Sequence, residues 1–172
     1  VSTSRPNPDE MLEVYERLAA DGATGIVSIH LSADLSGTFE SAQLAARRAS
    51  VPVFAVDSRQ VGMGTGFAVM AAVEARDAGG DAAAITAAAK ERAAATTSLF
   101  YVDTLEYLRR GGRVGAVGAL LGSALAVKPI LKVENGRIGP FERVRTAGKA
   151  LSRLEELAVA AAGDADVDVA VA

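Results

Sequence analysis

Cysteine is absent from the 172-residue sequence. That excludes disulfides and thiolate chemistry and fits a reducing compartment. Histidine occurs once, as His30, so no histidine-based metal cluster can form, and no acidic cluster takes its place. One histidine, with no serine in a G-x-S-x-G frame, leaves no arguable Ser-His-Asp set. Runs of lysine or arginine are missing too, and the formal net charge is only -3, so nothing marks a nucleic-acid face. No apolar stretch reaches the roughly 20 residues of a membrane span. No charged, then apolar, then small-residue leader is visible. The expectation is a soluble, cytoplasmic protein that uses no metal or cofactor.

What is present is apolar: half the residues are hydrophobic, enough for a core without covalent staples. Apolar segments alternate between two periods. "PNPDEMLEVYERLAADG" is helical. Pro8 suits the first turn, Asp9 and Glu10 the positive end and Gly22 the stop, while Met11, Tyr15 and Leu18 share a face. "TGIVSI" and "VPVFAVD" read as strands, the second continuous enough for a parallel sheet covered on both faces. "GTFESAQLAARRA", "GFAVMAAVEARDAGG" and "DAAAITAAAKERAAAT" read as helices. This is the β-α-β-α signature.

After about Thr97 the pattern changes. "SLFYVD" predicts a strand, "TLEYLRRGG" a short helix and "VGAVGALLGSALA" a helix of small residues. "KPILKVENGRIGPFERVRT" predicts two strands about Asn135-Gly136, a strong hairpin signal. "GKALSRLEELAVAAAG" predicts a helix, and "DVDVAVA" a closing buried strand. The fold class expected is α/β: an N-terminal parallel-sheet α/β lobe over residues 1–95, then a C-terminal α+β lobe with a hairpin over 96–172. Starting at "VSTSRPNP" and stopping on a bare strand, the chain is expected to lack residues at both ends, including a first strand.

"SIHLSADLSGTFESA", from Ser28 to Ala42, concentrates hydroxyl groups where a strand gives way to a helix. Ligands of open α/β sheets bind beyond the carboxyl ends of strands. Hydroxyls and helix-end N–H groups converging there suit an anion. The plainer reading is a capped helix, with Ser36 or Asp34 best placed as the cap and Ser32 and Thr38 as local loop and cap residues. Spacing alone does not choose between them.

The other motifs divide in the same way. "GMGTG", Gly62 to Gly66, lacks the Lys-Ser/Thr of a phosphate loop and reads as a turn packed closely into a helix. His30 suits a base or a loop contact. "RRGGR", Arg109 to Arg113, reads as a solvated helix end or as a phosphate or acidic-partner contact.

Six segments occur in order: "TSRPNP", "LSADLSGTFESA", "VDSRQVGMGTG", "DTLEYLRRGGRVG", "KPIL" and "RVRT". Together they resemble the DegV family of bacterial fatty-acid-binding proteins, over nearly the whole chain. The resemblance implies a long-chain fatty acid, about C14–C18, held between the two lobes. It also implies a separate fatty-acid kinase subunit that phosphorylates the acid's carboxyl group. It places Thr3 and Ser36 on the carboxylate, with Ser4, Gly37 and Thr38 beside them. Arg113 and Arg145 fall near the headgroup opening, where they suit partner or phosphate contact. The glycines of the small-residue helix, Gly118 and Gly122, leave room for an acyl chain. Two family features are not in this sequence: a first strand carrying Thr-Asp-Ser, and a His-Ala pair expected just past Ala172. The alternative function class is a small-molecule hydrolase or kinase using the hydroxyl-rich loop. The sequence favours the carrier, having neither a nucleotide phosphate motif nor a base paired to a nucleophile.

Overall fold

The computed structural model describes residues 4–113 and 128–172. The chain divides into two compact units. One comprises Ser2–Thr97 together with Asn135–Arg137, and the other Ser98–Glu134 with Ile138–Ala172.

In the first unit, helix α1 spans Pro8–Ala20. Asn7 opens it with a reciprocal cap: its side chain accepts the Asp9 N–H, and the Glu10 carboxylate accepts the N–H of Asn7. Tyr15 is buried with Ile26 and Ala45, and Met11 and Leu12 pack against them. Leu18, expected on the same face, is 40% exposed because the buried stripe is narrower than the periodic one.

Strands β1 (Ile26–His30) and β2 (Val53–Asp57) pair in parallel, with Ile26 opposite Val53 and His30 opposite Asp57. Their carboxyl ends therefore lie at one edge, and the following loops emerge side by side. Ser32 N–H donates to the Gln60 carbonyl at 2.8 Å, and Asp57 Oδ1 accepts the N–H groups of Ala33 and Arg59. Helices α2 (Thr38–Ala46), α3 (Met63–Asp77) and α4 (Ala82–Ala95) follow. Val56 is buried with Ala68, Ala72, Ala89 and Ala93, a core made mostly of methyl groups. Among the described residues nothing fully covers Phe54 of β2, which is 42% exposed although its apolar run predicts a sheet covered on both faces. "GMGTG" is not a turn: α3 begins inside it at Met63. Gly62 takes the cap position at φ 56 and Gly64 is buried within the first helical turn.

The second unit contains β3 (Ser98–Tyr101), α5 (Glu106–Arg110), β4 (Lys128–Glu134), β5 (Arg137–Val144, all but its first residue) and α6 (Ala147–Ala162). The sheet order is β3-β4-β5, with β3 antiparallel to β4. Ile130, Leu131, Val133, Ile138 and Ala150 are buried. Thr146 caps α6 by accepting the Lys149 N–H. The turn joining β4 to β5 has φ of 52 at Asn135 and 81 at Gly136. Both central residues are left-handed, the two-residue hairpin form that Asn-Gly favours. The closing strand expected at "DVDVAVA" does not form, and Val171 is 92% exposed. Alternating valines favour a strand, but a strand also needs a partner for its N–H and C=O groups.

Candidate ligand-binding site

The loop after β1 carries the hydroxyl cluster, and the structure separates its members. Ser32 is fully buried, and its Oγ donates to the Gly136 carbonyl at 2.6 Å while accepting the Asp34 N–H. Asp34 does not cap α2. Its carboxylate pairs with the Arg137 guanidinium at 2.9 Å, a partner 103 residues away that outcompetes the local backbone. Arg59, itself left-handed at φ 55, donates to the Asn135 carbonyl. Ser32, which the sequence assigns to purely local contacts, thus helps fix the residue 135–137 turn.

Ser36 and Thr38 form a second group at the start of α2. Ser36 Oγ accepts the Thr38 N–H at 3.2 Å and lies 2.7 Å from Thr38 Oγ1. When Thr38 donates within this pair, both acceptor positions of Ser36 are used and its own O–H is left to give. Gly37 stands at the N-cap position and brings no side-chain cap; the Thr38 N–H is met by Ser36, and the remaining N–H groups of the first turn are of the kind that hold anions at helix ends. Three residues on from Thr38, a step that returns to the same helix side, Ser41 is fully buried and its Oγ has no partner among the described residues. Sequence reasoning passed over Ser41; the only signal was that helical step. It also passed over Arg5, whose guanidinium pairs with Glu40 in the first turn of α2. Ser4 is exposed. Thr3, Gly118 and Gly122, and the small-residue helix expected at 114–126, lie outside the described residues.

His30 closes a hydrogen-bonded chain. Tyr15 Oη lies 2.8 Å from Ser28 Oγ, which lies 2.7 Å from His30 Nε2. Burial holds the imidazole below its ordinary pKa, and the neighbouring Asp57 carboxylate opposes this less strongly. A histidine depressed on folding binds fewer protons folded than unfolded, so it destabilises the fold as pH falls through the unfolded value of about 6.5. We expect the midpoint of thermal unfolding to drop between pH 7.5 and 5.5. His30→Gln should flatten that slope, since no other histidine titrates there. An identical slope in the variant would assign the effect elsewhere.

Among the described residues no group of three or more His, Cys, Asp or Glu is arranged to hold a metal ion. No helix among them is long and apolar enough to cross a membrane.

A family model described as "Uncharacterised protein, DegV family" matches residues 1–172. The chain belongs to the DegV family. A DegV domain-containing protein of Streptomyces coelicolor is 58% identical over 171 residues, which cover 99% of this chain and 61% of that relative. The chain therefore spans about three fifths of its relative's length. A solved DegV family protein from Thermus thermophilus, described by its fatty acid binding, superposes with a TM-score of 0.85 at 36% identity. That match covers 94% of this chain and 57% of the other. DegV of Bacillus subtilis, described as a fatty acid binding protein, gives a TM-score of 0.84 at 36% identity over 95% of this chain and 58% of that one. The α/β character read from the sequence is thus that of the DegV fold.

The arginines singled out on DegV resemblance both lie in the second unit. Arg113 follows the left-handed Gly112, its N–H donates to the Leu108 carbonyl and its guanidinium donates to the Gly111 carbonyl. Arg145 is exposed between β5 and α6.

Proposed function

We propose that the protein binds a long-chain fatty acid, about C14–C18, and presents its carboxylate to a partner kinase for phosphorylation. The observation that carries this reading is the Ser36–Thr38 hydroxyl pair at the open end of α2, beyond the carboxyl end of β1, in a chain of the DegV family. Hydroxyl and backbone donors hold a carboxylate without locking it into a buried ion pair, so its oxygens stay available for transfer chemistry. Thr3 and Ser4 are proposed to complete the donor set, and Gly118 and Gly122 to make room for the acyl chain. A C16 chain offers ~14 methylenes at ~0.8 kcal/mol each, ~11 kcal/mol before the costs of association. Each charge-assisted hydrogen bond adds at most ~1.5–3 kcal/mol. The tail supplies affinity and the headgroup contacts supply orientation.

Native mass spectrometry of the purified protein tests the binding step. A retained C14–C18 acid is the expected result. An apo protein that neither retains nor takes up such an acid would overturn it. The 2.7 Å contact between Ser28 Oγ and His30 Nε2 is the one observation favouring a hydrolase. Turnover of a long-chain ester, abolished by Ser28→Ala, would establish that reading instead.

Arg113 and Arg145 are proposed to meet the kinase or its phosphates, as guanidinium forks suit. Arg113→Ala and Arg145→Ala are expected to retain bound lipid and to be phosphorylated more slowly by the kinase. Loss of lipid in either variant would place that arginine in the lipid site.

A further inference from the structure

We infer that Arg5 is a positioning residue that makes the open end of α2 selective for an anionic headgroup, an inference that rests on the carrier reading above. Glu40 lies in the first turn of α2, three residues beyond Gly37. A carboxylate there stabilises an isolated helix end. It also repels any second carboxylate brought to the same N–H groups. Arg5 cancels that charge. Its guanidinium donates to Glu40 Oε2, and its side chain lies across Gly37.

Glycine at position 37 accommodates Arg5 where it lies. Gly37 has φ -72, open to any residue, so its conformation does not require glycine. A Cβ at this position would stand 2.7 Å from Arg5 Cδ and 2.9 Å from its guanidinium nitrogen. The missing side chain leaves room for Arg5 to cross the loop between Ser36 and Thr38. The Arg5–Glu40 pair is itself too exposed, at 48% and 66%, to contribute much to folding. Its placement matters for what approaches the helix end, where the buried hydroxyl of Ser41 lacks a partner among the described residues.

The test compares two ligands with the same chain and different headgroups, palmitate and hexadecanol, on the delipidated full chain. Arg5→Ala is expected to weaken palmitate about fivefold at low salt and to leave hexadecanol within about twofold. The palmitate loss should shrink at high salt, because the charges are solvent-accessible. Adding Glu40→Gln to Arg5→Ala should restore palmitate binding, since the uncancelled charge is then gone. Equal weakening of both ligands would show that Arg5 only shapes the loop, and unchanged palmitate binding would show that it does nothing at this site. Failure of Glu40→Gln to rescue would overturn the charge argument. If the unsubstituted chain binds neither ligand, the carrier reading itself falls, a result separate from any difference between variants.

Discussion

Ser36→Ala is expected to weaken palmitate binding roughly ten- to hundredfold, as removal of one charge-assisted hydrogen bond, ~1.5–3 kcal/mol, should do. The same substitution removes the acceptor for the Thr38 N–H. Some loss of stability must therefore accompany it, about 1 kcal/mol as for a helix cap, or roughly 2–4 °C in a chain of this size. Measuring a melting curve and a dissociation constant on the same variant separates the roles. A carrier in which Ser36 holds the carboxylate shows both losses. A loop in which Ser36 merely caps α2 shows the thermal loss alone, and that outcome would remove Ser36 from the binding site. Thr38→Val is a useful companion, because it takes the Oγ1 partner from Ser36 and leaves the Thr38 N–H in place.

Gly136→Ala is expected to lower the unfolding midpoint by roughly 4–20 °C. Position 136 sits at φ 81, where an L side chain costs about 1–2 kcal/mol. The new Cβ would stand 2.7 Å from Ser32 Oγ and 3.3 Å from Asp34 Oδ2. Relieving that clash breaks the buried bond from Ser32 to the Gly136 carbonyl and leaves the buried O–H of Ser32 without an acceptor, a further ~1–3 kcal/mol. The sum, ~2–5 kcal/mol, sets the expected shift. Gly139→Ala is the control: no atom approaches its Cβ within 4 Å and its φ is not left-handed, so its midpoint should barely move. Equal shifts in the two variants would mean that the close approach at Gly136 carries no weight.

Much of this molecule is readable along the chain because its signals are local. Pro8 after Asn7, the alternation of strand and helix periods, and Asn135-Gly136 between apolar runs each act within a few residues, and each produces the expected element. The signals that mislead are those where a distant group intervenes. Asp34 reads as a cap until Arg137 takes its carboxylate, and Ser32 reads as a loop residue until Gly136 arrives from 104 positions away. The last valines have the right propensity but find no ladder partner among the described residues. At the site, family motifs led to Ser36, Gly37 and Thr38, whereas Arg5 and Ser41 lie inside the same motifs with nothing but a helical step, for Ser41, to single them out. Arg5 becomes visible only when its side chain is seen lying over a glycine.

The methyl-lined core of the first unit has a genetic consequence. Ala68, Ala72, Ala89 and Ala93 surround Val56, and none is more than 6% exposed. Shortening these side chains removes almost nothing, so the usual cavity-forming lesion is nearly closed to this core. Enlarging them is another matter, because inserting carbon into a close-packed interior costs about 1–3 kcal/mol. An alanine codon becomes valine or threonine by a single transition, among the commonest of base changes. Spontaneous mutation therefore falls on these helices mainly as additions, and purifying selection against overfilled alanines should weigh more heavily here than in cores built of leucine and phenylalanine.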